Sequence, residues 1–186
     1  RSESGVAADK VFAFGFSFGA GMTYRLSCEL GDLIHGFAVS GMTWELDASG
    51  LGMPFHDNCA SSRPLWAGSG TRDVFFSIKQ MEGGWTTYAE DVMGCVPASR
   101  VVSHESAGVS CEAYTDCAGV DLTGTHPTEH CTYIEMGHKW PGEMPACANP
   151  LPTARGPAPY CTTLAATPRA LRTLGLLPAP NAAPTA

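Results

Sequence analysis

Short apolar runs alternate with amphipathic segments over most of this chain. Residues 11–16 form an apolar run that predicts a buried strand, and residues 18–30 place Met22, Leu26 and Leu30 on one face of a predicted helix. Later apolar runs predict further strands at 34–40, 64–68 and 131–136, with a shorter one starting at 101–102.

Helical spacing of apolar residues returns at 76–93, where a Gly-Gly pair weakens the pattern. A Thr-Pro start predicts a final helix over 169–176. The low-complexity residues 178–186 predict a disordered tail, so we expect one domain over 1–177. Polar or Pro-rich stretches predict a loop at 43–62, a disulfide-tied hairpin or loop at 111–127, and a Pro-rich loop at 141–162.

The order of these elements predicts an α/β fold. Strands that alternate with helices favour parallel pairing and right-handed crossovers. The expected order is strand, helix, strand, loop, strand, helix, strand, helix. In such a sheet the loops that follow the strands meet at one edge, where ligands of open α/β folds bind. Candidate chemistry should therefore lie just after the predicted strands.

Composition and charge narrow the choice of partners. The chain has 186 residues, enough for one domain with a hydrophobic core. Its net charge is −7 and its basic residues do not cluster, which argues against a nucleic-acid partner. No apolar run approaches 18 residues, so the sequence predicts no membrane span. These features fit a neutral substrate.

The eight cysteines indicate disulfide bonds. Their number is even and they form no C-x-x-C pairs, which a zinc site would favour, so we expect no metal. Disulfides imply an oxidising compartment and an extracellular protein, whereas buried free thiols in a cytosolic protein are the alternative. Proximity along the chain suggests the pairs Cys28–Cys59, Cys111–Cys117, Cys147–Cys161 and Cys95–Cys131.

A G-x-S-x-G motif stands between the first predicted strand and the first predicted helix. It is centred on Ser17, with Gly15 and Gly19 on either side. A strand that turns sharply into a helix lifts the serine out of the backbone, which is the nucleophile elbow of α/β-hydrolases. The alternative is a tight Gly-rich turn without chemistry. The motif makes Ser17 the candidate nucleophile.

Two more residues complete the arrangement that a serine nucleophile needs. A serine hydroxyl requires a base within hydrogen-bond reach, and the base requires an orienting group. In α/β-hydrolases the chain order is Ser, then Asp or Glu, then His. Asp73 follows the third predicted strand and His138 follows the strand at 131–136. We predict that Ser17, Asp73 and His138 meet at one edge of the sheet.

Other residues of the same types are weaker candidates. Asp73 has the alternative role of capping the helix that follows it. His126 and His130 lie four apart beside Cys131, a metal-like spacing only on a helix, which Pro127 makes improbable. The rivals of Asp73 follow no strand so directly: Asp57, Asp91, Asp116 and Asp121. The further rivals of His138 are His35, His56 and His104.

Three motifs in this order resemble those of a known enzyme group. They are the elbow with the segment 22–29, G-T-x-D at 70–73 and G-H-x-W-P-G at 137–142. Over roughly residues 10–142 they are similar to secreted α/β-hydrolase esterases of the polyhydroxybutyrate depolymerase, feruloyl esterase and acetylxylan esterase group. The terminal helix near Thr167 also fits.

The resemblance implies hydrolysis of carboxylic esters through an acyl-enzyme, without metal or cofactor. The substrate would be an extracellular polyester or a plant cell-wall ester, with a feruloyl, acetyl or hydroxybutyryl group. Ser17 would be the nucleophile, His138 the general base and then acid, and Asp73 its orienting carboxylate. The backbone N–H of Phe18 would donate to the oxyanion, and Trp140 would either line the substrate site or only pack its loop.

The chain departs from the family pattern before the elbow. The family places several strands and a His-Gly-rich loop with a second oxyanion donor there, whereas here about ten residues precede the strand. We therefore expect the carboxyl-terminal part of a larger hydrolase, with residues 11–16 as an exposed edge and weak or no activity for this chain alone. The alternative is a non-catalytic, disulfide-tied extracellular domain on the same scaffold.

Overall fold

A computed structural model describes residues 11–44, 59, 63–118, 120, 126–141 and 166–174. The strands in these ranges are β1 (Phe12–Phe16), β2 (Gly36–Ser40), β3 (Leu65–Gly70), β4 (Arg100–Ser106), β5 (Val109–Tyr114) and β6 (Thr128–Tyr133). The helices are α1 (Phe18–Glu29), α2 (Ile78–Thr87) and α3 (Ala166–Thr173). A π-helical turn (Tyr88–Val92) extends α2, and a short 3-10 turn (Pro97–Ser99) precedes β4.

The strands form one mixed sheet in the order β1-β2-β3-β6-β5-β4. The first four strands of that order are parallel, and β5 and β4 are antiparallel additions. The predicted α/β class is confirmed, but the prediction of a parallel sheet is wrong for these two of the six strands. Within the described ranges β1 is an edge strand, as predicted, and Val11 and Phe14 are exposed there.

Apolar side chains cover both faces of the parallel strands. Phe37 and Val39 belong to a cluster with residues of α1 and α2, whereas Ala38 between them belongs to a cluster with α3. Successive side chains of a strand point to opposite faces, so the helices lie on the two sides of the sheet. Because helices cover both faces of the sheet, the carboxyl ends of the parallel strands lie at the sheet edge between the two helical layers.

The strand β5 is the main element that the sequence analysis did not identify, whereas the short strand predicted from 101–102 lies within β4. Residues 111–127 are predicted as a disulfide-tied hairpin or loop, whereas residues 111–114 belong to the strand Val109–Tyr114. Val109, Cys111 and Ala113 are buried while Ser110 and Glu112 between them are half-buried, which is the period of a strand. Gly108, with a φ of 88°, supplies the tight turn before it.

The strand predicted at 131–136 lies instead at Thr128–Tyr133. Its first three residues are polar, which hid the start of the strand from a reading of hydrophobicity. Glu129 and His130 are nevertheless buried. Glu129 accepts hydrogen bonds from Ser103 and Thr173, and His130 is hydrogen-bonded to Ser69. Buried polar groups with partners of this kind can occupy a central strand.

Among the six cysteines that the structure describes, the pairing suggested by proximity along the chain is found for one disulfide. Cys28–Cys59 is confirmed, whereas the predicted pairs Cys111–Cys117 and Cys95–Cys131 are wrong. The bonds are Cys95–Cys117 and Cys111–Cys131. Cys111 of β5 lies directly opposite Cys131 of β6. The spacing of cysteines along the chain does not show which residues strand pairing brings together.

Some expectations fall on other parts of the chain. The predicted pair Cys147–Cys161, the tail at 178–186 and all but the first residue of the loop at 141–162 lie outside the described residues. Among the helices that are described, none has the length and hydropathy needed to traverse a bilayer.

Candidate active site

Ser17 occupies a strained turn between β1 and α1. Its backbone φ of 53° and ψ of −125° lie in a region that residues other than glycine rarely adopt. The Ser17 N–H donates to the carbonyl of Ser40 at 2.9 Å, and its own carbonyl accepts the N–H of Ala20 at 2.8 Å. The turn therefore ends the strand and begins the helix within one residue, as the elbow motif predicts.

The two glycines of the motif have different roles. A Cβ on Gly15 would overlap the carbonyl oxygen of Gly19 and the hydroxyl of Thr23, so this glycine lets α1 lie close against β1. A Cβ on Gly19 would meet nothing within 4 Å. Close packing thus requires the first glycine but not the second.

The three predicted catalytic residues are in contact. Nε2 of His138 lies 2.8 Å from Oγ of Ser17, and Nδ1 lies 2.7 Å from Oδ2 of Asp73. The Asp73 side chain is 1% exposed and that of His138 is 14% exposed. A carboxylate only accepts hydrogen bonds, so Nδ1 carries the proton and Nε2 is left to accept the Ser17 hydroxyl.

Asp73 holds more than the imidazole. It lies in the turn after β3, where Oδ1 accepts the backbone N–H groups of Phe75 at 2.9 Å and Phe76 at 3.1 Å. The helix α2 begins further on with Ser77 as its N-cap, in a capping box with Gln80. The alternative role of Asp73 as the cap of that helix is therefore wrong.

The imidazole of His138 is packed between aromatic rings. Phe16 lies on one side at 4.8 Å between ring centroids, and Phe75 meets the ring edge-on at 4.7 Å. Gly41, with a φ of 67°, leaves room beside them, because a Cβ there would lie 3.1 Å from Cε1 of His138 and 2.8 Å from Phe16. These contacts restrict the ring to the orientation that joins Ser17 to Asp73.

A cavity of about 260 Å³ opens next to the serine. It is lined by Ser17, Phe18, Met42, Phe75, Phe76 and His138. Phe18 is the first residue of α1, so its N–H is among the first-turn groups that have no acceptor within the helix. This N–H is available beside the serine as the predicted oxyanion donor.

Trp140 lies beside the cavity-lining residues rather than among them. Its ring contacts Phe14 of β1 at 6.3 Å and Trp66 of β3 at 5.8 Å between centroids. The side chain is half-buried. Packing of its loop is thus observed, and contact with a substrate remains a prediction.

The rival residues are placed elsewhere or used differently. Asp91 and Asp116 are exposed, and Asp57, His56 and Asp121 lie outside the described residues. His130 is buried against Ser69 at 2.7 Å and stacks on Trp85 at 5.3 Å. Burial and, to a smaller degree, the charge of Arg100 lower the pKa of His130 to about 3, so this imidazole is neutral.

The cysteine beside His130 offers little to a metal. Cys111, Glu129 and Cys131 place possible ligand atoms within 4.8 Å of one another. The two sulfurs are bonded to each other, which leaves the Glu129 carboxylate as the single ligand of the set. A disulfide sulfur is not the thiolate that a metal binds.

Sequence reasoning missed the apolar residues around the serine. Phe75 and Phe76 follow Asp73 by two and three positions, and two adjacent aromatic residues in a loop after a candidate carboxylate were a readable signal. Met42 and Gly41 follow β2 and had no such signal. Their relevance comes from the parallel register, which places the end of β2 beside the end of β1.

Comparisons with protein-family models and with curated proteins find no match for this chain. The resemblance to the esterase group therefore rests on the three motifs and on the contacts described above.

Proposed function

We propose that this protein is a serine carboxylic-ester hydrolase with an α/β-hydrolase-type scaffold. The observation that carries the proposal is the hydrogen-bonded series from Ser17 through His138 to Asp73, at 2.8 and 2.7 Å. Nucleophile, base and orienting group are each within direct reach of the next, beside a cavity open to a substrate.

The chemistry follows from these contacts. His138 Nε2 takes the hydroxyl proton while Ser17 Oγ bonds to the ester carbonyl carbon. The carbonyl oxygen becomes an oxyanion, to which the N–H of Phe18 donates, an interaction worth about 3 kcal/mol in comparable enzymes. When the C–O bond to the alcohol breaks, His138 returns the proton to the leaving oxygen.

Hydrolysis of the acyl-enzyme repeats these steps with water. His138 takes a proton from the water, the resulting hydroxide attacks the acyl carbon, and the proton passes to Ser17 Oγ as the acid leaves. Asp73 keeps its charge throughout, holds the Nδ1 proton and stabilises the imidazolium. No step needs a cofactor.

The substrate class follows from the resemblance stated above. An ester of an extracellular polymer or of the plant cell wall, with a feruloyl, acetyl or hydroxybutyryl group, fits this esterase group. The three disulfides in the described residues fit an oxidising, extracellular compartment. Trp140 is a proposed substrate contact, because it lies on the loop that carries His138. Its ring packs there against Phe14 of β1.

A fluorophosphonate probe tests the proposal, because it bonds covalently to an activated serine. We expect stoichiometric labelling of the protein expressed from its complete reading frame, and no labelling of Ser17→Ala. The matched control is Ser69→Ala, which removes the serine of the buried Ser69–His130 pair and should leave labelling intact. A folded protein that stays unlabelled would instead support the non-catalytic extracellular domain.

A further inference from the structure

The carboxylate of Asp73 fixes two things at once. Oδ2 holds His138, and Oδ1 holds the backbone N–H groups of Phe75 and Phe76. The turn that carries these two phenyl rings is therefore positioned by the same group that orients the imidazole. Any substrate in the cavity meets the rings in a fixed relation to Ser17.

The cavity walls are apolar beyond the reacting groups. Apart from Ser17 and His138, the lining side chains in the described part of the chain are Phe18, Met42, Phe75 and Phe76. A charged group placed among them would lose its hydration without gaining a partner. The walls therefore favour an uncharged, apolar occupant.

Two of the phenylalanines that line the cavity are exposed to solvent. The Phe18 side chain is 62% exposed and that of Phe75 is 69% exposed. Removing apolar surface from water contributes about 25 cal/mol per Å². An apolar group in the cavity would bury parts of both rings, and this gain is available only to an occupant that reaches them.

Volume and chemistry indicate which part of an ester reaches them. The cavity of about 260 Å³ is many times larger than the roughly 10–15 Å³ that a cavity needs to hold one water molecule, so an acetyl methyl would leave most of it to solvent. The acyl group stays bonded to Ser17 through both half-reactions, whereas the alcohol leaves after the first. A cavity that includes Ser17 suits the group that stays.

We propose that Phe75 and Phe76 are specificity-determining residues that select an uncharged, apolar acyl group larger than acetyl. This inference rests on the proposed ester hydrolysis. The Asp73 carboxylate would then position the two phenyl rings that contact the acyl group, in addition to the imidazole of His138.

The test varies the acyl group at a constant alcohol. Hydrolysis of p-nitrophenyl acetate, butyrate and hexanoate is measured for the protein expressed from its complete reading frame, for Phe75→Ala and for Val74→Ala. Val74 is 83% exposed and is not among the described residues that line the cavity, which makes it the matched control. We expect kcat/KM to rise with chain length in the unaltered protein.

Removal of the Phe75 ring should reduce the increase of kcat/KM with acyl chain length. In Phe75→Ala the hexanoate-to-acetate ratio of kcat/KM should fall about tenfold, the effect of losing apolar contact in a specificity pocket. In Val74→Ala the ratio should not change. Phe76 packs partly against the core, so Phe76→Leu is the milder variant that tests its share of the wall.

Each other result identifies what fails. If no ester is hydrolysed and no probe labels Ser17, the proposed function fails and this inference fails with it. If Ser17→Ala abolishes hydrolysis but Phe75→Ala keeps the unaltered ratio, the inference alone is overturned. A series of alkyl acetates completes the test, because a change of alcohol preference in Phe75→Ala, with acyl preference intact, would also overturn it.

Discussion

Of the Ser–His hydrogen bonds in the described part of this protein, two are shorter than the exposed His104–Ser106 contact of 3.1 Å, and one of these two lines a cavity. Ser17 and His138 are 2.8 Å apart, and Ser69 and His130 are 2.7 Å apart. As isolated hydrogen bonds the pairs are equivalent. Their surroundings differ in every other respect that matters to a nucleophile.

The first pair opens onto a cavity and has a buried carboxylate behind the imidazole. The second pair is buried within the protein, where His130 stacks on Trp85 and its pKa is lowered by burial and by Arg100. An imidazole with so low a pKa is a poor base and has no access to substrate. A Ser–His hydrogen bond is thus common to both pairs, and the carboxylate and the cavity are what support the proposed catalytic role of Ser17 and His138.

The largest expected effect is the difference in kcat between replacing His138 and replacing His130. His138→Leu should lower kcat by about 10⁴–10⁶-fold, as removal of a catalytic base does in serine hydrolases, with little change in the free energy of unfolding. His130→Leu should keep kcat per folded molecule but reduce the free energy of unfolding by about 1–3 kcal/mol, because Ser69 loses its buried partner.

Ester hydrolysis and denaturant unfolding measure these two quantities. The comparison would break if His130→Leu abolished hydrolysis in a protein that remains folded, since the buried pair would then take part in the chemistry.

The carboxylate is the next difference between the pairs. Asp73→Asn should lower kcat by about 10⁴-fold, because an amide in place of the carboxylate can favour the wrong imidazole tautomer. The exposed residue Asp116 provides a control, and Asp116→Asn should leave kcat unchanged. Steady-state kinetics at several substrate concentrations separate this loss from a change in KM. Equal losses in both variants would contradict the role of Asp73.

The low pKa of His130 predicts a pH-dependent stability. The ordinary histidine pKa of about 6.5 applies to the unfolded chain, whereas burial and Arg100 lower the pKa of His130 to about 3 in the folded protein. The free energy of unfolding should therefore be highest above pH 6.5 and should fall toward pH 3, with a contribution of up to about 1.4 kcal/mol per pH unit.

Denaturant unfolding at several pH values measures this slope. His130→Leu should show a smaller slope between pH 6.5 and pH 3 than the unaltered protein. An unchanged slope in His130→Leu would assign the pH dependence to other groups.

A smaller effect is expected from the backbone beside the first pair. Gly41→Ala should lower kcat about 100-fold, because the new methyl would press on His138 and Phe16, and a misplacement of about 1 Å has this cost. Gly19→Ala is the control within the elbow motif, where a Cβ meets nothing and activity should persist. The labelling rate of Ser17 by a fluorophosphonate reads both variants, and similar rates would contradict the steric role of Gly41.

The candidate residues could be read from local patterns, but the walls of the site could not. Ser17 follows an apolar run with glycines at the required offsets, and Asp73 and His138 each follow a predicted strand. Phe75 and Phe76 left a weak local signal, and Met42 left none. Which apolar residues surround a serine depends on which strands lie next to each other, and this is a non-local property.

The same distinction holds for the fold. The parallel strands and α1 were predicted because their periodicity is local. The strand β6 was displaced in the prediction because Glu129 and His130 are buried through hydrogen bonds to residues far along the chain. The disulfide Cys111–Cys131 depends on the register of β5 against β6, which the spacing of cysteines does not encode.

By itself the sequence determined the elbow, the order of the candidate residues and the parallel α/β core, since each depends on backbone preferences and periodicity over a few residues. The contact of Ser17 with His138, 121 positions apart, was predicted from the order of the residues after the strands. Only the tertiary structure decided that Ser69 is the partner of His130 and which apolar residues surround Ser17, because both depend on how distant strands pair. Burial, access and the carboxylate at Nδ1 then distinguish two pairs that share one hydrogen-bond geometry.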